Sequence, residues 1–227
     1  MKNSFLFVSV LTLVQASLNA QVTVVPAPPA PAEVVVVPPP AEGGRTLDSA
    51  VVQRQLSLPP KVTIVTTTPQ TEVKTTKTTT IVETPGKPRR VYNSERNVVV
   101  IEDQGQKREL PYVTLPVLFE KETADLLDDQ SRNALQQVAG VILAIAKTEA
   151  NTVFDIEGHT STDGTDEFNL NLSAARAQRV YNELTQRYGV PAAILSAHGY
   201  GESFPMYPEG NEAEMQMDRR VLVVRTK

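Results

Sequence analysis

One stretch holds the residue types that could do chemistry: Glu157-Gly158-His159-Thr160-Ser161-Thr162-Asp163-Gly164, followed by Asn169, Leu172-Ser173 and Arg176-Ala177. It reads as the end of a strand, a glycine-bounded loop and the first turns of a helix. Gly158 and Gly164 suit a backbone with unusual dihedrals or a close approach to a ligand. Asn169 is placed to cap the helix. Arg176 then falls about two turns in, with Val180 on the same face. A helix start beside a guanidinium is a natural site for a carboxylate. Two catalytic arrangements compete with this reading. Glu157 and Asp163 could act as paired carboxylates in glycoside hydrolysis, and Ser161 with His159 as nucleophile and base. Glu157, however, lies on an alternating strand and is expected to face solvent. Ser161 and His159 are two positions apart on one segment with no orienting third group. His159 is expected to be packed and hydrogen-bonded, and no second histidine or cysteine stands near it at metal spacing. The chemistry expected is therefore capture, with no catalytic residue, cofactor or metal.

The elements that must position these residues follow from periodicity. Asp128 or Asp129 can cap a helix bearing Leu135, Val138, Ala139, Ile142 and Ile145 on one face. Val153 to Ile156 alternates like a strand. A second helix is expected from about Leu170 to Tyr188, with Gly189 as its stop. Ile194 to Ala197 and Val221 to Arg225 are further strands, and Tyr112 to Phe119 is the first. Met215 and Met217 read as packing residues. The order strand-helix-strand-helix-strand-strand predicts an α+β fold, a two-layer sandwich with helices on one face of a mixed sheet.

The rest of the chain has another composition. Twelve of the 17 prolines lie between Pro26 and Pro88, and Tyr92 is the only aromatic residue from 21 to 110. Thr63 to Thr84 holds 11 threonines in 22 residues. Residues 1–20, with Lys2 and an apolar run from Phe5 to Val14, read as a signal peptide. Residues 21–96 are expected to be a disordered Pro/Thr-rich tether. Residues 97–110 are expected to add an optional strand or hairpin, and 111–227 to form the folded domain. That domain carries 10 Lys/Arg against 17 Asp/Glu, which argues against nucleic acid as a partner. The absence of cysteine excludes disulfides, thiolate chemistry and a lipid-modified cysteine.

The segment Glu157-Gly-His-Thr-Ser161, with Gly164, Asn169, Leu172-Ser173, Arg176-Ala177, Gly199-x-Gly201-Glu202 and Asp218-Arg219-Arg220-Val221, resembles the OmpA-like C-terminal domain. This peptidoglycan-binding module also occurs in Pal lipoproteins and MotB-type stator proteins. The resemblance covers roughly Val113 to Lys227 and implies the same strand-helix order. It implies non-covalent binding of the diaminopimelate-type stem peptide, linking the cell envelope to the wall. It also implies a periplasmic, outer-membrane-associated protein that is not an enzyme, with further envelope proteins as partners of the tether. Arg176 matches the family arginine that pairs with a diaminopimelate carboxylate. Asn169 matches the asparagine at the helix start, Thr160 a loop position beside the ligand, and Arg219 with Arg220 the pair ahead of the last strand.

Two positions depart from the family pattern. Ser161 stands where an aspartate usually binds the ligand's ammonium, and a hydroxyl brings no charge. Asp218 stands where asparagine is common. Asp163 and Asp218 are the two acids that could supply the missing carboxylate, and Asp218 could instead pair with Arg219. Weaker or altered ligand binding, leaving a scaffolding role, is the alternative that Ser161 raises.

Overall fold

A computed structural model describes residues 46–64 and 88–227. The expected signal peptide and residues 21–45 and 65–87 of the expected tether lie outside the described residues.

The domain is built on a sheet of order β2-β3-β4-β7-β5-β6, with β1 paired to β4. The strands are β1 (Lys61–Ile64), β2 (Arg89–Asn93), β3 (Val98–Asp103), β4 (Gln106–Leu115), β5 (Phe154–Gly158), β6 (Leu195–Gly199) and β7 (Val221–Arg225). Only β5 and β6 pair in parallel; the other pairs are antiparallel. Helices α2 (Asp129–Thr148) and α3 (Asp166–Asn182) supply the second layer. From β4 onward the order is the expected one, with a short helix α4 (Glu212–Asp218) inserted before β7. Asp128 caps α2, its side chain accepting from the Ser131 N–H.

Strand alternation divides the buried residues between the two faces of the sheet. Val113, Leu115, Phe154, Ile156, Val221 and Val223 meet Leu135, Val138, Ile142, Ala177 and Val180 of the helices. Leu110, Tyr112, Leu222 and Val224 face the other way and pack against Val99, Ile101 and Tyr92. The second face is therefore a core in its own right, covered by β2 and β3.

The expected tether does not extend through 46–64 and 88–96. There the chain forms helix α1 (Ser49–Leu56), β1 and β2. Asp48 caps α1, accepting from the N–H groups of Ala50 and Val51. Val52 and Leu56 of α1 are buried in the main core. Arg225 fixes its end, donating from Nη1 to the Leu56 carbonyl at 3.1 Å and from Nη2 to Glu149 at 2.6 Å. The physical reason is that Val52 and Leu56, although few, bury apolar area against α2 that offsets the ordering of eight residues. The expected hairpin at 97–110 is the β3–β4 pair.

Candidate functional site

The loop that follows β5 and the loop that follows β6 meet at one end of the sheet. The Thr160 N–H donates to the Gly201 carbonyl at 3.0 Å, and the Tyr200 N–H to the Gly158 carbonyl at 2.9 Å. Helix α3 crosses these strand ends so closely that a Cβ on Gly158 would lie 2.1 Å from the Ser173 carbonyl oxygen. Gly164 adopts φ +103°, a left-handed conformation that closes the loop.

Thr165, not Asn169, caps α3: its hydroxyl accepts from the Phe168 N–H at 3.2 Å. The helix therefore starts a turn earlier than its apolar spacing suggests. Acidic residues at 166 and 167 fill its first turn, where the helix dipole favours them. Arg176 is then the eleventh helical residue, about 15 Å along the axis from the first. The helix dipole decays within a turn, so capture at Arg176 must rest on the guanidinium charge itself. Asn169 is buried and acts as a bridge, its Nδ2 donating to the Asp163 carbonyl at 2.8 Å and to the Glu202 carboxylate.

Arg219 reaches across from the end of α4 and holds the loop. Its Nε donates to Ser161 Oγ at 3.1 Å and its Nη2 to Asp163 Oδ2 at 2.7 Å, while Nη1 binds Glu212 and Gln216. Asp163 is thus already engaged. Asp218 does not pair with Arg219 and offers no free carboxylate. It is wholly buried, accepts from the N–H groups of Met206 and Tyr207 at 2.6 and 3.0 Å, and pairs with Arg220 at 3.3 Å. Thr160 is buried, and its hydroxyl has no hydrogen-bond partner among the described residues.

Arg176 differs from the other buried and half-buried arginines. Arg220 pairs with Asp218, Arg225 with Glu149, and Arg90 with Glu157. Arg176 is only 9% exposed, yet no acid among the described residues pairs with it. Its Nε donates to the Thr123 carbonyl at 2.9 Å, and its guanidinium lies over the Phe119 ring, 5.0 Å from the centroid. Burial, with the positive field of Arg219, lowers its pKa to about 10. It remains a cation at neutral pH and lacks a counter-charge among the described residues.

Sequence reasoning missed a second buried polar cluster. Glu157, expected to face solvent, is fully buried on the face covered by β2. Arg90 pairs with it, and the Tyr92 hydroxyl donates to Glu157 Oε2 at 2.7 Å. Burial lifts the Glu157 carboxyl above its usual range, and Arg90 and Tyr92 oppose that lift. His159 is packed as expected, edge-on to Tyr92 and stacked on Tyr200. Neither of its ring nitrogens, however, has a hydrogen-bond partner among the described residues. The signal was the alternation Arg90, Tyr92 in a polar strand, where the inward residues are polar and no apolar period shows. Met217 is 48% exposed rather than packed.

Fold and site together define a two-layer α+β domain whose loop end presents arginines, with Ser161 bonded to Arg219 and not to His159. The chain belongs to the OmpA family, which its residues 118–219 match. It is 30% identical over 142 residues to the outer-membrane lipoprotein YfiB of Pseudomonas aeruginosa, covering 61% of this chain and 81% of that one. It is 39% identical over 75 residues to outer membrane porin F of the same organism, but those residues span only 21% of the porin. Among solved structures, the peptidoglycan-associated lipoprotein of Burkholderia pseudomallei is similar at 30% identity and a TM-score of 0.42, covering 48% of this chain and 88% of that one. The family match leaves out α1, β1 to β4 and β7. Among the described residues, no helix is long and apolar enough to cross a membrane.

Proposed function

We propose that this chain binds peptidoglycan without covalent chemistry and links the cell envelope to the wall. Arg176 receives a carboxylate of the diaminopimelate-type stem peptide, and Ser161, Thr160, Asp163, Asn169, Asp218 and Arg219 shape the loop beside it. Of these, Asn169, Asp218 and Arg219 act by holding backbone and side chains in place. The protein is exported by residues 1–20 and works in the periplasm, associated with the outer membrane. Residues 21–45, ahead of α1, tether it to an envelope partner. The outer-membrane lipoprotein, most of whose length this chain matches, supports that location.

The observation that carries the reading is the buried guanidinium of Arg176 without an acidic partner among the described residues. A buried cation is costly unless a counter-charge arrives, so the free protein is primed for an anion. No step requires a nucleophile or a base. Co-sedimentation with purified sacculi tests the reading. Wild-type chain should pellet with sacculi and Arg176→Ala should stay in solution. Equal pelleting of the two would refute the site.

A further inference from the structure

Two residues of β2 reach all three segments that build the candidate site. Arg90 and Tyr92 alternate along that strand and so share one of its faces. The Tyr92 ring stands edge-on to His159, with centroids 5.0 Å apart, and is tilted against Phe204 at 5.5 Å. The Arg220 guanidinium lies over the same ring, 5.5 Å from its centroid. The Arg90 guanidinium lies 4.6 Å from the centroid of Tyr200 and pairs with Glu157. We propose that β2 is a positioning element of the peptidoglycan site. Tyr92 and Arg90 hold its loops in the binding arrangement, so that affinity for the wall depends on the docking of this strand. The inference rests on the peptidoglycan-binding reading above and adds regulation to it.

Each contact stands next to a group already placed in the site. His159 precedes Thr160, and its own N–H donates to the Arg220 carbonyl at 2.9 Å. Arg220 follows Arg219, the side chain that holds Ser161 and Asp163. Tyr200 precedes Gly201, whose carbonyl accepts from the Thr160 N–H. The Phe204 carbonyl accepts from Arg220 Nη2 at 3.1 Å. One ring from outside the family-matched residues is therefore common to the loop after β5, the loop after β6 and the segment ahead of β7.

The strand that carries this ring stands at the end of the strand order, and among the described residues it pairs only with β3. Such an edge opens at lower cost than strands inside a sheet. Undocking of β2 withdraws the shared ring while α2 and α3 keep their packing on the opposite face. By linkage, bound ligand and docked β2 favour each other by the same factor.

Hydrogen exchange and co-sedimentation of the full chain with purified sacculi test this. Tyr92→Leu removes the ring and leaves the Arg90–Glu157 pair. Its affinity for sacculi should fall by about fivefold or more, the lower range of a coupling between sites. The amides of Thr160 and Tyr200 should exchange faster, with those of α2 unchanged. Tyr92→Phe restores the ring and should recover the affinity. Leu56→Ala controls for stability alone. Leu56 is held by Arg225, which pairs with Phe154 at the end of β5 away from the loops. That variant should melt earlier and bind sacculi as wild type does while folded. In the wild type, bound sacculi should slow exchange at the amides of β2, a reading that needs no variant. Wild-type affinity in Tyr92→Leu, an equal loss in Leu56→Ala, or β2 exchange indifferent to sacculi overturns the positioning role and leaves carboxylate capture standing. A wild-type chain that does not pellet overturns the peptidoglycan reading and this inference with it.

Discussion

Arg219 Nε lies 3.1 Å from Ser161 Oγ, and the same guanidinium holds Asp163 Oδ2 at 2.7 Å. One side chain therefore fixes the loop and neutralises the acid nearest to it. Replacing the hydroxyl by a carboxylate would add a negative charge that Arg219 can only share. Ser161→Asp should tighten binding of a stem peptide with a free amine by about tenfold relative to one whose amine is acetylated. The ratio of the two affinities is the readout. An unchanged ratio would mean that position 161 does not face the ligand's nitrogen.

Arg176 should trade stability for binding. Its charge is buried without an acid among the described residues, so it burdens the unliganded fold. Arg176→Met keeps an unbranched apolar stem and removes the guanidinium that lies over the Phe119 ring. The variant should lose at least about tenfold in affinity for sacculi, the lower range for a lost charge-assisted hydrogen bond. Its melting temperature should stay level or rise. A variant that binds as wild type, or that loses binding only because it unfolds, would contradict the assigned role.

The family end of the fold was legible because apolar periodicity is strong there. Leu135, Val138, Ile142 and Ala177, Val180 mark helix faces that are in fact buried. The loop was legible because Gly158 and Gly164 have no alternative residue at a 2.1 Å contact and a φ of +103°. The start of α3 was not, because Thr165 and two acids precede the first apolar residue of its buried face. Engagement of Asp163 and Asp218 was not legible either. Whether an acid is free or paired depends on side chains distant in sequence, such as Arg219 and Arg220. The same holds for Arg90 and Glu157, 67 positions apart.

That last pair makes the N-terminal strand part of the domain. Arg90 and Tyr92 satisfy Glu157 from β2, outside the family-matched residues. Arg90→Ala leaves a fully buried carboxylate unpaired and should cost about 3–5 kcal/mol in chemical denaturation, the scale for breaking a buried pair from one side. Adding Glu157→Gln to that variant should recover a substantial part of the loss. A fragment starting at Pro111 lacks β2 altogether and should be less stable than a chain that retains residues 46–110. Equal stability of the two would show that Glu157 finds another partner.

His159 should make the fold sensitive to mild acid. Burial first, then the nearby Arg220 and Arg90, hold its imidazole well below the ordinary value of 6.5. The unfolded chain takes up a proton near pH 6.5, and the native protein does not. The contribution to stability is therefore full above that value and falls as the pH drops, by about 1.4 kcal/mol per unit for one proton. Glu157 acts in the opposite sense at lower pH. Its carboxyl is raised above 4.5, so the native state takes its proton before the unfolded chain does, and stability returns. Tyr92 and Tyr200, the other titratable groups against the ring, remain protonated throughout this range, that of Tyr200 pushed up to about 12. Urea denaturation at intervals between pH 7.5 and 5 should show the loss, and His159→Phe, which keeps a ring against Tyr200, should flatten it. A wild-type profile without slope below pH 6.5 would mean that the ring gains a partner on protonation, with Glu157, 3.7 Å from its Nε2, as the nearest acid.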